Sequence, residues 1–581
     1  MSIIETLTEG IVNRDMKKEG SALLSKWGKT GLLEGLQTEH MKSTMARLLE
    51  NQAKELLRES SAMAGSPGDV EGFAAVAFPI VRRVFAGLIA NQLVSVQPMS
   101  LPSGLIFFLD FTFSEEIGAG TQTSRFGNVA GESIYGTNKV GAGIIDGVSL
   151  VGSSGENLSG PRESVGYAYA SPKTDDAVDS SDITAGAAVL ISAMTDAQKK
   201  LIKYDADVLA ESTSYLLEVK IAETEFVNPD TDNLSAFDIS GAEVGDTDAS
   251  ISTSAGNTKL IRRLTSTDGT TISFFFVSTV DITTYGADQN AMTVSHPTKD
   301  SVAVKSSGGG SLDAYTMLLE GSANIPEINI KVDSTAITAQ TKKLKAKWTP
   351  ELGQDLNAYH NLDAEVELTS ILSEQIALEI DREILADLVN GATASTQYWS
   401  RSPGLFVNRS TGAEIGANSA APDFTGTVSE WYETLIETIN DVSAQIHRKT
   451  LRGGANFVIV SPEVANVLEF TSGFRANVTA DADKGDIGAV KVGSLSRKFD
   501  VIVDPYFPRN VILVGRKGNS FLESGYVYAP YVPLQTTPTI FDPESFVPRK
   551  GVMTRYAKKM VRPDMYGLVI VRDLLGGEYS S

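Results

Sequence analysis

The sequence predicts an α+β protein, and three stretches carry that expectation. His360 to Leu385, HNLDAEVELTSILSEQIALEIDREIL, holds no proline or glycine and spaces large aliphatic residues at helical intervals. Between about residues 215 and 335, the runs TTISFFFVSTVDITTYG, NAMTVSH, DSVAVKSSGGG and NIPEINIKVDS are short, β-branched and punctuated by turn residues. ANFVIVSPEVANVLEF is a buried-type strand that leads directly into a helix signal.

Taken in order, residues 1 to about 60 are charge-dense and lack proline. Met41, Met45, Leu48, Leu49, Gln52, Ala53, Leu56 and Leu57 place one apolar stripe on a charged rod. This head is expected as a detachable helical piece that ends at the linker SSAMAGSPGDVEG. From 73 to 113 a helical run with paired Arg82 and Arg83 passes through prolines into the strand-like LIFFLDFTF. Residues 114 to about 185, rich in Gly, Ser, Asp and Thr, are expected as an extended, exposed loop without a core of its own.

The opening run is expected as one helix over about 350 to 390, started at Pro350 and stopped by the NGAT that begins at Asn390. A second amphipathic helix is expected over 428 to 449, and KFDVIVDPYFPRNVILVG reads as two strands around a turn. The remainder, from GYVYAPYV onward, reads as strands broken by prolines.

Composition narrows the functional classes. The chain has 581 residues, room for two to four domains, and 72 acidic against 50 basic residues give a net charge of −22. That balance opposes strong attraction to a phosphate backbone, which needs clustered Lys and Arg. Zero cysteines remove thiolate nucleophiles, disulfides, zinc ribbons and iron–sulfur clusters. No apolar run is long enough to span a bilayer, and the charged start lacks a secretory core, so a soluble chain folded in the cytosol is expected.

The motifs of catalysis fare poorly. A carboxylate-bridged metal site needs Glu-x-x-His pairs, and none of the four histidines has a Glu at that offset. As the alternative of another class, a carboxylate-dependent metal hydrolase is left with Asp355, His360 and Asp363 as its set. The carboxylates of the long run interleave with Leu356, Val366, Ile371, Leu372, Ile376, Ile380, Ile384 and Leu388, as on a helix with one buried stripe. Glu379 and Glu383 lie one turn apart and need a positive neighbour, for which Arg382 and a partner subunit are the candidates. Gly28-Lys29-Thr30 ends like a phosphate loop, but Leu23 stands where its first glycine belongs. GAGIIDG has its third glycine one position late, and no G-x-S-x-G elbow is present. No catalytic residue, cofactor or metal is expected.

Five ordered stretches point elsewhere. KKLKAKWTPELGQDLNAYHNLDAEVELTSILSEQIALEIDREIL (342 to 385) resembles the long-helix region of major capsid proteins of T-even-type tailed bacteriophages. VRRVFAGLIANQLVSVQPMSLPSG, GGANFVIVSPEVANVL, GYVYAPYV and DPESFVPRKGVMTRY resemble other parts of the same family in the same order.

The resemblance implies the Hong Kong 97-type capsid fold and a non-enzymatic subunit that self-assembles into hexameric capsomers of a head enclosing double-stranded DNA. On that pattern 1–60 is a scaffold-like head, 61–113 linker and N-arm, 114–214 the E-loop region and 215–335 a β-rich insertion. Then 336–427 is the peripheral domain with its spine helix, 428–525 the axial domain, and 526–581 a return to the peripheral domain. A pentameric vertex paralogue of the same fold is the alternative.

Implied partners are neighbouring capsomers and portal, vertex, scaffold and decoration proteins, without a membrane and without sequence-specific DNA binding. Arg82, Arg83, Glu379, Arg382 and Glu383 become candidate inter-subunit contacts. A prohead protease site of the family's Leu-x-Glu type is matched by Leu57-Arg58-Glu59 followed by Ser60, which makes Glu59 and Ser60 the candidate cleavage residues.

Overall fold

A computed structural model gives the fold. It describes residues 16–34, 39–62, 88, 90–114, 173–178, 182–186, 188–240, 242–243, 250–251, 258–279, 292–298, 327–360, 362–415, 424–450, 452–476, 490–496, 498–518 and 525–574. The chain divides into two compact units. The first comprises Met1–Phe108, Ile144–Gly147 and Ser334–Ser581, and the second Leu109–Gly143 and Val148–Asp333.

In the first unit, one sheet runs in the order Ser95–Val96, Tyr526–Thr536, Pro548–Met560, Gln340–Lys347. The long strands pair antiparallel, and the short Ser95–Val96 strand lies parallel to Val527 and Tyr528. The helix Ala364–Gly391 is packed on this sheet. Leu372, Ile376, Ile380, Ile384 and Leu388 recur every four residues and are all buried, in one cluster with Tyr526, Tyr528, Val552 and Tyr556. Five such side chains contribute on the order of 10 kcal/mol of apolar burial, enough to make this seam a principal stabiliser of the unit.

The run expected as one helix is two, Pro350–His360 and Ala364–Gly391. The break has a local cause. Leu362 N–H reaches back to the Leu356 carbonyl at 3.3 Å, which closes the first helix, and the Asp363 carboxylate accepts from Glu365 N–H at 2.9 Å, which starts the second.

A second sheet of the first unit has seven strands, ordered Thr396–Ser400, Tyr566–Arg572, Val511–Gly515, Phe457–Val460, Phe499–Val503, Val490–Leu495, Phe474–Ala476. Helix Val428–Thr450 covers it with Trp431, Leu435, Ile439, Val442 and Ile446, the expected amphipathic face. The approach is close at Gly567, where an added Cβ would stand 2.4 Å from Val442 Cγ1 and 3.0 Å from the Ser395 carbonyl. Only glycine fits there without a shift. Helix Pro462–Glu469, the helix expected after the strand, begins with proline in its first turn and Ser461 as its cap.

The second unit layers two sheets. One orders Thr258–Leu260, Thr271–Ser278, Tyr215–Ala222, Ile183–Ala185, and the other Lys173–Val178, Met292–Pro297, Asp238–Ser240. Alternation along Tyr215–Ala222 and Thr271–Ser278 sends Leu217, Val219, Ile221, Ile272, Phe274 and Phe276 into a core shared with Val178, Ile239 and Val294. Leu216 and Phe275 point to the opposite face, where they are buried with Ile191, Met194, Ile202 and Val208.

Residues 173–178 and 183–185, expected as exposed loop, are therefore strands of this unit, with Val178 and Ile183 buried. The segment KTDDAV carries too few apolar residues for its alternation to stand out. Most of the remaining predicted loop lies outside the described residues.

The chain leaves the first unit along Ser103–Phe113 and returns along Ile328–Thr338. These two strands form a ladder, bounded by a 3.1 Å bond from Ser114 N–H to the Glu327 carbonyl and a 2.9 Å bond from Ala339 N–H to the Pro102 carbonyl.

Candidate assembly site

The charged side of the long helix meets strands of its own chain. Lys342 Nζ lies 3.1 Å from Glu379 Oε1 and 3.7 Å from Glu383 Oε2. Lys558 Nζ lies 2.9 Å from Glu383 Oε1 and 2.7 Å from Asp387 Oδ2. Tyr526 donates its hydroxyl to Asp387 at 2.7 Å, and Tyr556 donates to Glu383. Nearer the helix start, Lys550 pairs with Glu365. Carboxylates at successive helical turns thus face lysines and tyrosines projected by Gln340–Lys347, Tyr526–Thr536 and Pro548–Met560.

The electrostatics follow from this geometry. Burial opposes the charge on Glu383, yet the Tyr556 hydroxyl and Lys558 outweigh it and hold the carboxyl below its ordinary value. The bond to Glu379, against a smaller desolvation cost, raises Lys342. Burial, reinforced by Asp387 for Tyr526 and by Glu383 for Tyr556, pushes both phenols well above their usual range, so they act as donors.

This corrects the expected pairing. Glu379 and Glu383 are brought together by Lys342, and Arg382 does not supply their positive charge. Its guanidinium stacks 3.4 Å over the ring of Tyr506 and feels the buried Asp504, whose carboxyl is raised by desolvation. For Glu383 the reason is angular, because Arg382 is one residue away and so points about 100° around the helix, whereas Glu379, three residues away, is taken by Lys342 while Arg382 is held over Tyr506. Arg82 and Arg83 lie outside the described residues.

The hydrolase set is placed without convergence. Asp363 caps the long helix, Asp355 and His360 are exposed on the preceding helix, and no group of three metal-ligating side chains gathers among the described residues. Likewise, among the described residues no helix is long and apolar enough to cross a membrane.

Among the described residues, the N-terminal head holds the helices Met16–Gly28 and Glu39–Ala62. Its predicted stripe is occupied as far as it is described, the side chains of Leu56 and Leu57 lying outside the described residues. Met45, Leu48 and Leu49 are buried in the cluster that also holds Leu93, Val94, Val96 and Tyr528. Asn51 Nδ2 donates to the Met99 carbonyl at 2.9 Å and the Tyr531 carbonyl at 3.3 Å. In this structure the head is an integral part of the first unit rather than a free rod. Glu59 and Ser60 belong to the last turns of Glu39–Ala62, so their backbone is helical and the bond between them is not presented in extended form.

Sequence reasoning missed Lys342, Lys558, Tyr526 and Tyr556. A usable signal was present, since Tyr526 and Tyr528 alternate in a strand-like run and Lys558 sits near the end of another. What the text could not supply was the register that sets them against the helix.

The long helix and its sheet form a charge-braced structural element of a building-block protein. Residues 70–227 and 213–576 match the family described as Major capsid protein Gp23. The chain belongs to the Gp23 major capsid protein family, whose members are structural proteins rather than enzymes. Over 238 residues it is 33% identical to the major capsid protein of Vibrio phage KVP40, covering 40% of this chain and 45% of that one. Over 251 residues it is 34% identical to the major capsid protein of Enterobacteria phage T4, covering 41% and 46%. It therefore matches a little under half the length of these relatives. Among solved structures, the bacteriophage PhiM1 mature capsid is 14% identical with a TM-score of 0.27, covering 46% of this chain and 79% of that one. The capsid of Myoviridae phage XM1 is 10% identical with a TM-score of 0.27, covering 43% and 80%.

Proposed function

We propose that this chain is the hexamer-forming shell subunit of a tailed-phage head that encloses double-stranded DNA and assembles in the bacterial cytoplasm. The observation that carries the reading is the family match, which extends from residue 70 to residue 576 and so takes in most of both units. In this reading Ala364–Gly391 is the spine of a peripheral domain and the seven-stranded sheet with Val428–Thr450 belongs to an axial domain. The second unit is an insertion carried on an arm formed by Ser103–Phe113 and Ile328–Thr338. The net charge of −22 supports enclosure of DNA without adhesion to it. Portal, vertex, scaffold and decoration proteins are the partners such a shell requires.

Sedimentation of the purified full chain tests the reading. Discrete species of capsomer size and larger are expected, and a monomer that persists in the presence of a co-expressed phage scaffold and chaperone would overturn it.

A further inference from the structure

We propose that the sheet carrying the long helix has a phosphate-binding face on its other side, where Lys343, Lys345, Lys347, Arg549 and Arg555 hold the backbone of duplex DNA without reading its sequence. The identity of this polyanion rests on the shell reading, which sets duplex DNA beside the chain. The face itself rests on strand register.

The strands Gln340–Lys347, Pro548–Met560, Tyr526–Thr536 and Ile540–Phe541 contain no acidic residue. Alternation divides their cations between the two sides of the sheet. Lys342, Lys550 and Lys558 turn to the helix Ala364–Gly391, where they pair with Glu379, Glu365 and Asp387. The odd-numbered residues face away from it. Lys343 stands opposite Met553, Lys345 opposite Gly551, Lys347 opposite Arg549 and Thr341 opposite Arg555. Three lysines of the edge strand and two arginines of the next strand therefore share the side without the helix. The clustered Lys and Arg that the overall composition lacks are assembled here by pairing.

One end of this side is covered. There Met99 and Ile337 pack with Val527, Ala529 and Ala557 in a small apolar core. Beyond it Lys343, Lys345, Lys347 and Arg549 are exposed, and Arg555 marks the boundary with its guanidinium 5.4 Å over the ring of Tyr531. At the rim Asp542 pairs with Arg549 and feels Lys347, and Glu544 follows it, exposed, in the same loop. Among the described residues, Lys343, Lys345 and Lys347 enter no ion pair.

Lysines on an edge strand ordinarily guard it against further pairing. That role does not account for Arg549 and Arg555, which belong to the strand inside the edge, or for a lysine set directly across from an arginine. Like charges opposite each other weaken a ladder, and Asp542 answers only the pair Lys347 and Arg549. An anion laid along the row offsets the rest.

The regular spacing identifies that anion. Lys343, Lys345 and Lys347 are two residues apart on a strand, so their stems leave it at intervals of about 7 Å. One strand of duplex DNA advances about 3.4 Å along the axis per phosphate, so the lysine interval matches every second phosphate. A folded protein partner would bury an apolar centre, whereas the residue opposite the middle lysine is Gly551. The net charge of −22 confines attraction to this face, because screening limits its reach to about 8 Å at physiological salt. Binding is therefore weak, salt-sensitive and independent of sequence, and it does not fix a shell to its contents.

Fluorescence anisotropy of a labelled duplex of mixed sequence, titrated with the purified full chain before assembly at about 50 to 200 mM salt, tests this. Changing Lys343, Lys345 and Lys347 together to Gln should weaken binding by about tenfold or more and flatten the slope of log K against log salt by about 2 to 3. Changing Lys199, Lys200 and Lys203 of the second unit to Gln removes the same charge and should leave affinity within about twofold of the parent. In the parent chain the duplex should also protect Lys343, Lys345 and Lys347, but not Lys200 or Lys203, from acylation. No such protection, or equal losses in the two triple variants, overturns the phosphate face and leaves the shell reading untouched. Polyglutamate that competes as well as the duplex at equal charge also overturns it, by making an acidic polypeptide the occupant. A parent chain that binds the duplex through these lysines but never forms particles upholds the face and counts against the shell reading.

Discussion

Lys558 on the strand Pro548–Met560 stands 2.7 Å from Asp387 on the helix Ala364–Gly391, and the same ammonium lies 2.9 Å from Glu383 one turn earlier. One lysine therefore braces two turns of the helix against its sheet. Lys558→Met, which keeps the stem and removes the charge, leaves two carboxylates one turn apart facing each other. A loss of about 1 to 3 kcal/mol is expected, read as a lower urea midpoint of the purified chain.

Glu383 gives this seam a pH dependence with a definite sign. Its folded carboxyl is held below the ordinary value of 4.5, mainly against burial, by Tyr556 and Lys558. The unfolded chain consequently binds that proton more readily, so the contribution is fully present above the ordinary value and is lost as pH falls through the depressed one. Urea midpoints measured down to about pH 3 should fall for the parent chain. Glu383→Gln should be weaker near neutrality and lose less on acidification. Equal acid sensitivity in both chains would remove Glu383 from the account.

The apolar half of the seam is tested at Ile384, which is buried between Ile380 and Leu388. Ile384→Ala should cost about 2 to 5 kcal/mol, whereas exposed Ile371→Ala on the other face of the same helix should change stability by less than about 0.5 kcal/mol. Thermal unfolding of the two variants side by side discriminates a buried stripe from a uniformly apolar helix.

Gly567 tests the second sheet. Gly567→Ala forces a methyl group into Val442 and the Ser395 carbonyl, and a loss of about 1 to 3 kcal/mol is expected. Adding Val442→Ala to that variant should recover part of it. No recovery would place the strain elsewhere.

The head makes a prediction of its own. Removal of residues 1–60 withdraws Met45, Leu48, Leu49 and Asn51 from the surface that they cover. The shortened chain should bind more of the dye ANS and unfold at lower urea than the full chain, since apolar surface and two carbonyls are uncovered. Unchanged dye binding and stability would show that the head is a passive appendage.

Helices were the most legible part of this protein. Val428–Thr450 and the four-residue repeat from Leu372 to Leu388 stand out because a buried stripe writes itself into spacing. The interruption after His360 was harder, since its one sequence mark is Asp363, a cap-favouring residue in text that otherwise reads as continuous helix. Strands at 173–178 and 183–185 were hidden by polar text, and only their pairing with Met292–Pro297 and Tyr215–Ala222 makes them strands. The partners of Glu379 and Glu383 were not legible at all. Lys342 and Lys558 reach them by sheet register, which leaves no mark in the neighbourhood of the helix. The apolar stripe of the head was visible, while the carbonyls that receive Asn51 come from two distant segments and were not.

Electron microscopy of the purified full chain under assembly conditions, with phage scaffold and chaperone supplied, tests the central claim most directly. The account predicts sixfold capsomers together with sheets, tubes or closed shells built from them. A population of well-folded monomers under every condition would contradict it, and exclusively fivefold rings would replace the hexamer-forming subunit with a vertex protein.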